Sequence, residues 1–432
     1  MQTETDTNTD YSALIEELAR KGRAAQRQLA RASDAEKAAG LRAAAKAIRA
    51  DAHAILEANA RDMAAGEERG LTGAMLDRLK LDEGRLDAIA SAIENVASLP
   101  DPVGEIIDES TSPSNFGLVR RRIPIGLIGI IYESRPNVTA DAAGLCFKSG
   151  NVTILRGGKE AIHSNQIIAR TMIDAAVAVD PEFPLNAIQV VPTTDRAAIP
   201  ELLSLTEYVD LCIPRGGENL IRAVAECSRV PVIKHYKGIC HVYIDSDADA
   251  AMAEEVAFNS KVHRPGVCNA AETLLINKAA ADDILPSLGK RLDEAGVVLR
   301  GDAPTQAILS ASGISVAAAT ELDWDEEYLD LVLSIKVVAD TCEAINHINN
   351  HGSGHTEAIV TNNADTAKRF QTEVDASTIF WNASTRFTDG GQFGMGAEIG
   401  ISTDKIGARG PMGLEELTSY KWLGVADGLI RE

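Results

Sequence analysis

The first hundred residues carry an amphipathic helical pattern. An apolar stripe with three- and four-residue spacing begins at Leu14 and recurs over residues 86–96, which predicts surface helices with one buried face. Ser33-Asp34-Ala35-Glu36 has the form of a capping box and predicts the start of an Ala-rich helix that ends near Ile48.

Extended chain interrupts the helical pattern between residues 105 and 123. Pro100-Asp101-Pro102 ends the last helix, and two β-rich runs then flank a turn rich in Ser, Thr, Pro and Asn. This arrangement predicts a β-hairpin. Because the hairpin is polar, we expect it to serve as an arm that contacts a second subunit.

From Ile125 onward the chain alternates short apolar runs with helical patterns. The predicted strands are residues 127–131, 152–155, 188–191, 209–213 and 230–233, and the predicted helices are 140–148, 164–179, 196–203 and 218–225. Such a rhythm predicts a parallel sheet with helices on its faces and with ligands at the carboxyl ends of the strands. A second α/β run begins after residues 241–245 and continues to about residue 400.

Composition and charge narrow the class of protein. Apolar residues make up 45% of the 432 residues and charged residues 24%, as in ordinary globular proteins. The net charge of −21 argues against nucleic acid or an anionic membrane as a partner. No apolar run is long enough to span a membrane, and residues 1–10, expected to be a disordered acidic tail, do not resemble a secretory signal, so we expect a cytoplasmic protein.

Cys268 has the local sequence expected of a nucleophilic thiol. Arg264-Pro265-Gly266 turns the chain just before it, cations precede it, and the apolar run Leu274-Leu275-Ile276 follows as a buried strand. Cations stabilise the reactive thiolate. The alternative is an inert cysteine that packs as a small apolar residue. We expect that state for Cys146, Cys212, Cys227, Cys240 and Cys342, which lie among apolar neighbours, and no pair has the spacing of a zinc site.

Two glycine-rich loops follow predicted strands and precede predicted helices. Arg156-Gly157-Gly158-Lys159 is the first, and Gly216-Gly217 lies in the second. Glycines allow close approach of the backbone to a ligand, and cations suit phosphate. Either loop alone is equally consistent with a plain strand-to-helix connection.

Two further positions are candidates for substrate contact. The amide of Asn137 can stabilise an oxyanion or simply cap a helix. Arg386, which precedes the glycine-rich segment 389–396, can clamp an anion, or the segment can be a surface loop.

Six stretches together resemble the gamma-glutamyl phosphate reductases (glutamate-5-semialdehyde dehydrogenases) of the aldehyde dehydrogenase superfamily. They cover nearly the whole chain after the acidic tail: Tyr132–Thr139, Leu155–Glu160, Arg264–Ala270, Glu327–Leu331, Phe393–Ser402 and Ala408–Leu417. The resemblance implies an α/β fold with two Rossmann-like parallel-sheet domains and a small oligomerisation element made of a β-hairpin and the C-terminal tail.

The resemblance also assigns roles to residues. Cys268 matches the catalytic thiol, Asn137 the oxyanion amide, and Glu327 the carboxylate that holds the nicotinamide ribose. Arg156 and Lys159 match positions at the adenosine ribose, where a cation favours the 2′-phosphate of NADP.

The implied reaction is the NADPH-dependent reduction of L-glutamyl 5-phosphate to L-glutamate 5-semialdehyde through a thioester on Cys268. Arg264 and Arg386 are our candidates for contacts with the phosphate or the α-carboxylate. His235 stands near the position where hydrolytic relatives carry the glutamate that activates water. A hydrolytic dehydrogenase of another acidic aldehyde remains the alternative, and a catalytically silent relative is the third.

The same resemblance predicts the division of the chain. Residues 11–104 and 124–238 form the expected cofactor-binding domain, and residues 239–405 form the catalytic domain. Residues 105–123 and 406–432 form the oligomerisation hairpin and tail, so we expect a homo-oligomer. Because an acyl phosphate is labile, transient contact with glutamate kinase is a further expectation.

Overall fold

The protein is described by a computed structural model that covers residues 10–431. The acidic tail predicted for residues 1–10 therefore lies outside the described residues, apart from Asp10. The chain divides into two compact units: residues 10–234, 395–400 and 412–431 form the first, and residues 235–394 and 401–411 form the second.

Five helices open the first unit. They are α1 (Ser12–Leu29), α2 (Asp34–Ala50), α3 (Ala52–Glu68), α4 (Gly73–Leu79) and α5 (Glu83–Ser98). The capping box is present at the start of α2, because the Ser33 side chain accepts from the backbone N–H of Glu36 and the Glu36 carboxylate accepts from that of Ser33. The buried Lys37 of α2 forms an ion pair of 2.5 Å with Asp101 after α5, which joins the two ends of this helical layer.

The predicted hairpin follows. Strands β1 (Ile106–Thr111) and β2 (Gly117–Pro124) pair in antiparallel fashion, and Asn115 at the turn has a φ of 62°. Asparagine tolerates this left-handed conformation better than most residues, so the polar turn is locally encoded.

A four-stranded parallel sheet forms the centre of the first unit. Its strands are β3 (Leu127–Tyr132), β4 (Val152–Arg156), β5 (Ile188–Val190) and β6 (Leu211–Arg215), in the order β5-β4-β3-β6. Helices connect and flank them: α6 (Pro136–Lys148), α7 (Ile162–Val179), α8 (Ala198–Ser204) and α9 (Glu218–Cys227). All six residues of β3 are buried, as expected of a strand covered on both faces.

The strand predicted at residues 230–233 is absent. Only Val232 forms a single parallel bridge with Cys212. Pro231 has no N–H to donate to a ladder, so this apolar run cannot extend the sheet as a regular strand.

The second unit contains a seven-stranded, fully parallel sheet. Its strands are β7 (Cys240–Ile244), β8 (Ala271–Asn277), β9 (Val298–Gly301), β10 (Ala317–Ala318), β11 (Val332–Val338), β12 (Thr356–Val360) and β13 (Thr378–Trp381). Their order is β10-β9-β11-β8-β7-β12-β13. Strands β8 and β7 lie near the centre, and β11 is inserted between β8 and β9, although β9 precedes it in the chain.

Helices cover both faces of this sheet. They are α10 (Ala250–Val262), α11 (Lys278–Glu294), α12 (Ala303–Ala311), α13 (Thr341–His351) and α14 (Ala364–Glu373). Val242 and Ile244 of β7 pack into one apolar cluster with α10, α11 and α12. Tyr243, between them, packs into another with α13 and α14, because neighbouring side chains on a strand point to opposite faces.

Three further strands complete the fold. Strands β14 (Gly400–Ser402) and β15 (Gly410–Met412) form a two-stranded sheet. Strand β16 (Thr418–Val425) pairs with β2 in antiparallel fashion, so the C-terminal tail joins the hairpin in one three-stranded sheet. None of the helices in the described chain combines the length and the apolar composition that crossing a bilayer requires.

The five cysteines other than Cys268 differ in burial. Cys146, Cys212 and Cys240 are buried, but Cys227 and Cys342 are exposed. Of the two states expected for these residues, core or inert, the core state is therefore wrong for Cys227 and Cys342. Each lies at an end of an amphipathic helix, α9 or α13, where apolar neighbours in sequence point away from the side that the cysteine occupies.

Candidate active site

Cys268 lies in a turn between α10 and β8. The backbone N–H of Ala270 donates to the carbonyl of Val267, which closes the turn around the cysteine, and Cys268 is half-buried. The thiol thus stands before the first residue of β8, at the amino ends of the parallel strands.

Gly238, in the segment just before β7, lies against the backbone of the Cys268 turn. A Cβ atom on Gly238 would stand 2.0 Å from the carbonyl oxygen of Cys268 and 2.6 Å from its Cα. Only glycine allows so close an approach of two backbones. The N–H of Gly238 donates to Oε1 of Glu327 at 2.8 Å, so Glu327 is linked to the thiol segment through one residue.

Two histidines lie beside the thiol. A ring nitrogen of His235, a ring nitrogen of His355 and Sγ of Cys268 all lie within 4.8 Å of one another. His235 contacts the carbonyl of Ile401 through Nδ1 at 2.8 Å. His355 is fully buried just before β12, and burial, with a smaller contribution from His235, lowers its pKa to about 3, so this ring is neutral near pH 7.

Positive charge is also present on this side of the thiol. The pKa of Arg386 is lowered, first by burial and then by the nearby Arg264 cation, while the thiol of Cys268 acts in the opposite direction. Asn269 donates to the carbonyl of Thr388 at 2.8 Å, which holds the segment carrying Arg386. The structure therefore brings Arg264, Arg386 and Cys268 into one electrostatic neighbourhood.

A buried ion pair joins the two elements that flank the Cys268 turn, α10 and β8. Lys261, in the last turn of α10, contacts Glu272 of β8 at 2.5 Å, and both side chains are fully buried. Burial lowers the pKa of Lys261 and raises that of Glu272 to about 7. Oε1 of Glu272 also accepts from the N–H of Leu329 at 3.3 Å, which ties the segment of Glu327 to β8.

The first unit has its own cluster of polar side chains at the carboxyl ends of β3 and β4. Arg156 is buried and donates to the backbone carbonyls of Gly157 and Thr194 at 3.0 and 2.7 Å. Lys159 is exposed and, among the described residues, has no hydrogen-bond or ion-pair partner. Arg156 thus stabilises the loop after β4 through these two hydrogen bonds, whereas the ammonium of Lys159 faces solvent.

The second glycine loop follows β6 at the same edge of that sheet. Gly217 precedes the first residue of α9, and a Cβ there would meet nothing within 4 Å. Its N–H donates to the carboxylate of Glu133 at 3.2 Å, so an acidic group already occupies this donor.

Asn137 lies in the first turn of α6, which begins at Pro136. Its Nδ2 donates to Asp141 at 3.0 Å, and burial raises the pKa of Asp141 to about 6. The side chain of Asn137 is exposed, so its amide is accessible as a hydrogen-bond donor within the first unit.

Sequence reasoning did not single out His355. Its segment, His351-Gly-Ser-Gly-His355, leads directly into an apolar strand. A histidine directly after a Gly-Ser-Gly segment and directly before a buried strand was the available signal. What brings it to Cys268 is the placement of β12 beside β7, which no local pattern encodes.

Comparison with known proteins gives a consistent result. The aldehyde dehydrogenase family profile matches residues 5–308 and 317–423. A gamma-glutamyl phosphate reductase of Paramagnetospirillum magneticum is 49% identical over 98% of this chain and 99% of its own length. One of Magnetococcus marinus is 52% identical over 98% of this chain and all of its own.

Solved structures agree with the sequence relatives. A gamma-glutamyl phosphate reductase of Thermotoga maritima superposes with a TM-score of 0.93 at 44% identity, covering 97% of this chain and 100% of that one. An acetylating aldehyde dehydrogenase of Geobacillus thermoglucosidasius, at 19% identity and a TM-score of 0.67 over 98% of both chains, shares the fold alone. The chain belongs to the aldehyde dehydrogenase family and, within it, to the gamma-glutamyl phosphate reductases.

Proposed function

We propose that this protein reduces L-glutamyl 5-phosphate to L-glutamate 5-semialdehyde with release of phosphate, the second step of proline biosynthesis from glutamate. The names of its relatives support the reaction. The observation that carries it is the half-buried Cys268 thiol, held beside two histidines and near two arginines. That is the environment in which a thiolate nucleophile forms.

The first chemical step is attack of the Cys268 sulfur on the γ-carbonyl carbon. The thiol proton passes to Nε2 of His235, because the low pKa of His355 makes that ring a poor acceptor; the C–S bond forms, and the C–O bond to phosphate breaks with its electron pair leaving on phosphate. Arg264 and Arg386 bind the departing phosphate or the α-carboxylate. Asn137 is assigned the oxyanion role by the resemblance of its motif.

Water must be kept from the resulting thioester. His235 stands near the position where hydrolytic relatives carry a glutamate. Its Nδ1 contacts the carbonyl of Ile401, and its Nε2 carries the thiol proton once the thioester has formed, so the imidazole is not available to activate water. The absence of a carboxylate at this position favours transfer of hydride to the thioester carbon over hydrolysis of the thioester.

The proposed cofactor is NADPH, which supplies the hydride when bound. Lys159 has an exposed ammonium that has no ion-pair partner among the described residues and that fits a 2′-phosphate. The open space over Gly217, at the N-terminus of α9, fits an approaching pyrophosphate. Arg156, Gly216 and Glu327 complete the proposed set, although Glu133 must release the N–H of Gly217 before a phosphate can take it.

The proposal is tested by coupling the protein to glutamate kinase with ATP, glutamate and either NADPH or NADH. We expect oxidation of NADPH that depends on the kinase and on ATP. In the reverse direction, oxidation of the semialdehyde should require phosphate or arsenate. Oxidation that continues without either anion would refute the proposal and favour the hydrolytic alternative.

A further inference from the structure

We propose that Cys268, His235 and His355 form a binding site for a soft divalent metal ion such as Zn²⁺, and that the bound ion blocks the thiol. The inference that the ion blocks catalysis rests on the proposed role of Cys268 as nucleophile. The inference that the ion binds does not depend on that role. One sulfur and two imidazole nitrogens are the donors that zinc prefers.

The spacing of the donors suits such an ion. The three ligand atoms lie within 4.8 Å of one another. Zinc bonds of about 2.3 Å to sulfur and about 2.0–2.1 Å to nitrogen place tetrahedral ligands about 3.5 Å apart. Closure by about 1 Å, which two side-chain rotations can supply, would complete three corners and leave the fourth open.

The hydrogen-bond partners of His355 determine which of its two ring nitrogens carries the hydrogen and which carries the lone pair. Its Nδ1 contacts the Thr356 hydroxyl at 2.8 Å and the Cys240 sulfur at 3.7 Å. That hydroxyl donates to Thr388, and the Cys240 thiol donates to the carbonyl of Cys268. Neither partner has a proton left for the ring, so Nδ1 carries the hydrogen and Nε2 carries the lone pair.

Nε2 of His355 is the second observation that points to a ligand. The side chain is fully buried, and Nε2 has no hydrogen-bond partner among the described residues. A buried polar atom without a partner is rare and costs free energy. A metal ion beside Cys268 would satisfy it.

The hydrogen bond of His235 likewise determines which of its ring nitrogens carries the hydrogen. Its Nδ1 contacts a backbone carbonyl, that of Ile401, at 2.8 Å. Because a carbonyl only accepts, Nδ1 carries the hydrogen, which leaves Nε2 as the nitrogen that can bind a metal ion. Metal-binding histidines in proteins are commonly oriented in this way by a hydrogen bond from the second nitrogen.

The nearby arginines oppose a cation and limit its affinity. Arg386 and Arg264 lie close enough for their charges to interact with each other, and Arg386 also interacts with Cys268. The thiolate offsets one charge of the ion. We therefore expect reversible binding that competes with the anionic substrate.

Titration of the full-length reduced protein with Co²⁺, followed by displacement with Zn²⁺, tests the site. We expect one Co²⁺ per chain with a thiolate-to-cobalt absorption band that Zn²⁺ removes. Cys268→Ser should abolish the band, and His235→Gln and His355→Gln should each weaken binding by about tenfold or more. Cys342→Ser, which removes an exposed thiol elsewhere, should leave the band unchanged.

Several results would overturn the site: no band in the wild type, a band that survives Cys268→Ser, or wild-type affinity in either histidine variant. Circular dichroism shows whether each variant is folded, and His235→Gln tests the site even if the buried His355 cannot be replaced. Because binding is read without turnover, a protein that binds Co²⁺ as expected but fails the kinase-coupled assay refutes the proposed function and supports the metal site.

Discussion

Gly238→Ala is the substitution that most directly tests how the thiol is positioned. The added methyl would begin 2.0 Å from the carbonyl oxygen of Cys268 and 2.6 Å from two further backbone atoms of that residue. These are backbone atoms that no side-chain rotation can move aside. An ordinary contact needs about 3.4 Å, so the turn must shift by more than 1 Å.

The size of the effect follows from that shift. A misplacement of about 1 Å in a reacting group lowers the rate by about 100-fold, and overpacking of this kind costs about 1–3 kcal/mol of unfolding free energy. The same movement strains the hydrogen bond from Gly238 to Glu327. We therefore expect kcat to fall more than the loss of folded protein explains.

The assay combines kcat from the kinase-coupled reaction with the rate of iodoacetamide labelling at Cys268, read by mass spectrometry. Gly73→Ala is the matched control, because its Cβ would meet nothing within 4 Å and its φ is not positive. A Gly238→Ala enzyme with kcat and labelling rate within twofold of the wild type would refute the positioning argument.

Three further predictions concern the thiol, the cofactor and acid stability. Cys268→Ala should abolish turnover and leave NADPH affinity, measured by calorimetry, within about twofold. Lys159→Glu should reduce the preference for NADPH over NADH by at least about tenfold, or about 1.4 kcal/mol, because it reverses the charge that faces the 2′-phosphate. Burial lowers the pKa of His355 to about 3 and that of His347 to about 2 from an ordinary 6.5. The unfolded chain therefore binds these protons first as the pH falls below 6.5, and at pH 5 the two histidines together reduce the free energy of unfolding by about 4 kcal/mol.

Each of these outcomes has a result that contradicts it. Turnover in Cys268→Ala would remove the thiol from the mechanism. An unchanged cofactor ratio in Lys159→Glu would place the 2′-phosphate elsewhere. The test compares urea unfolding of the wild type with that of a His347→Gln, His355→Gln double variant, so that other titrating groups cancel. A free-energy difference between the two proteins that is equal at pH 7 and pH 5 would show that the two histidines are not neutral in the folded protein.

Features encoded by nearby residues were predictable from the sequence. Ser33 and Glu36 define the start of α2 because their hydrogen bonds are local. The apolar run that forms β3 can be recognised as a strand without knowing which strands it pairs with. The run at residues 230–233 was predicted wrongly because Pro231 removes a ladder donor that an apolarity pattern does not register.

The candidate site was predictable only in part. Cys268 and Glu327 were found from their motifs, and Arg264 and Arg386 from their charge. Their connection through Gly238 depends on two backbones meeting, and the approach of His355 depends on the order of strands in the sheet. Contacts between segments almost ninety residues apart leave no periodicity to detect.

The strand order of the second unit has a consequence during synthesis of the chain. Cys268 leaves the ribosome well before His355, and β12 must join the edge of β7 before the imidazole reaches the sulfur. A prematurely terminated copy that ends before β12 would carry the cysteine without this histidine. Truncated products should therefore hold an ordinary, slowly alkylated thiol, and reactivity would arise only once the sheet has closed around it.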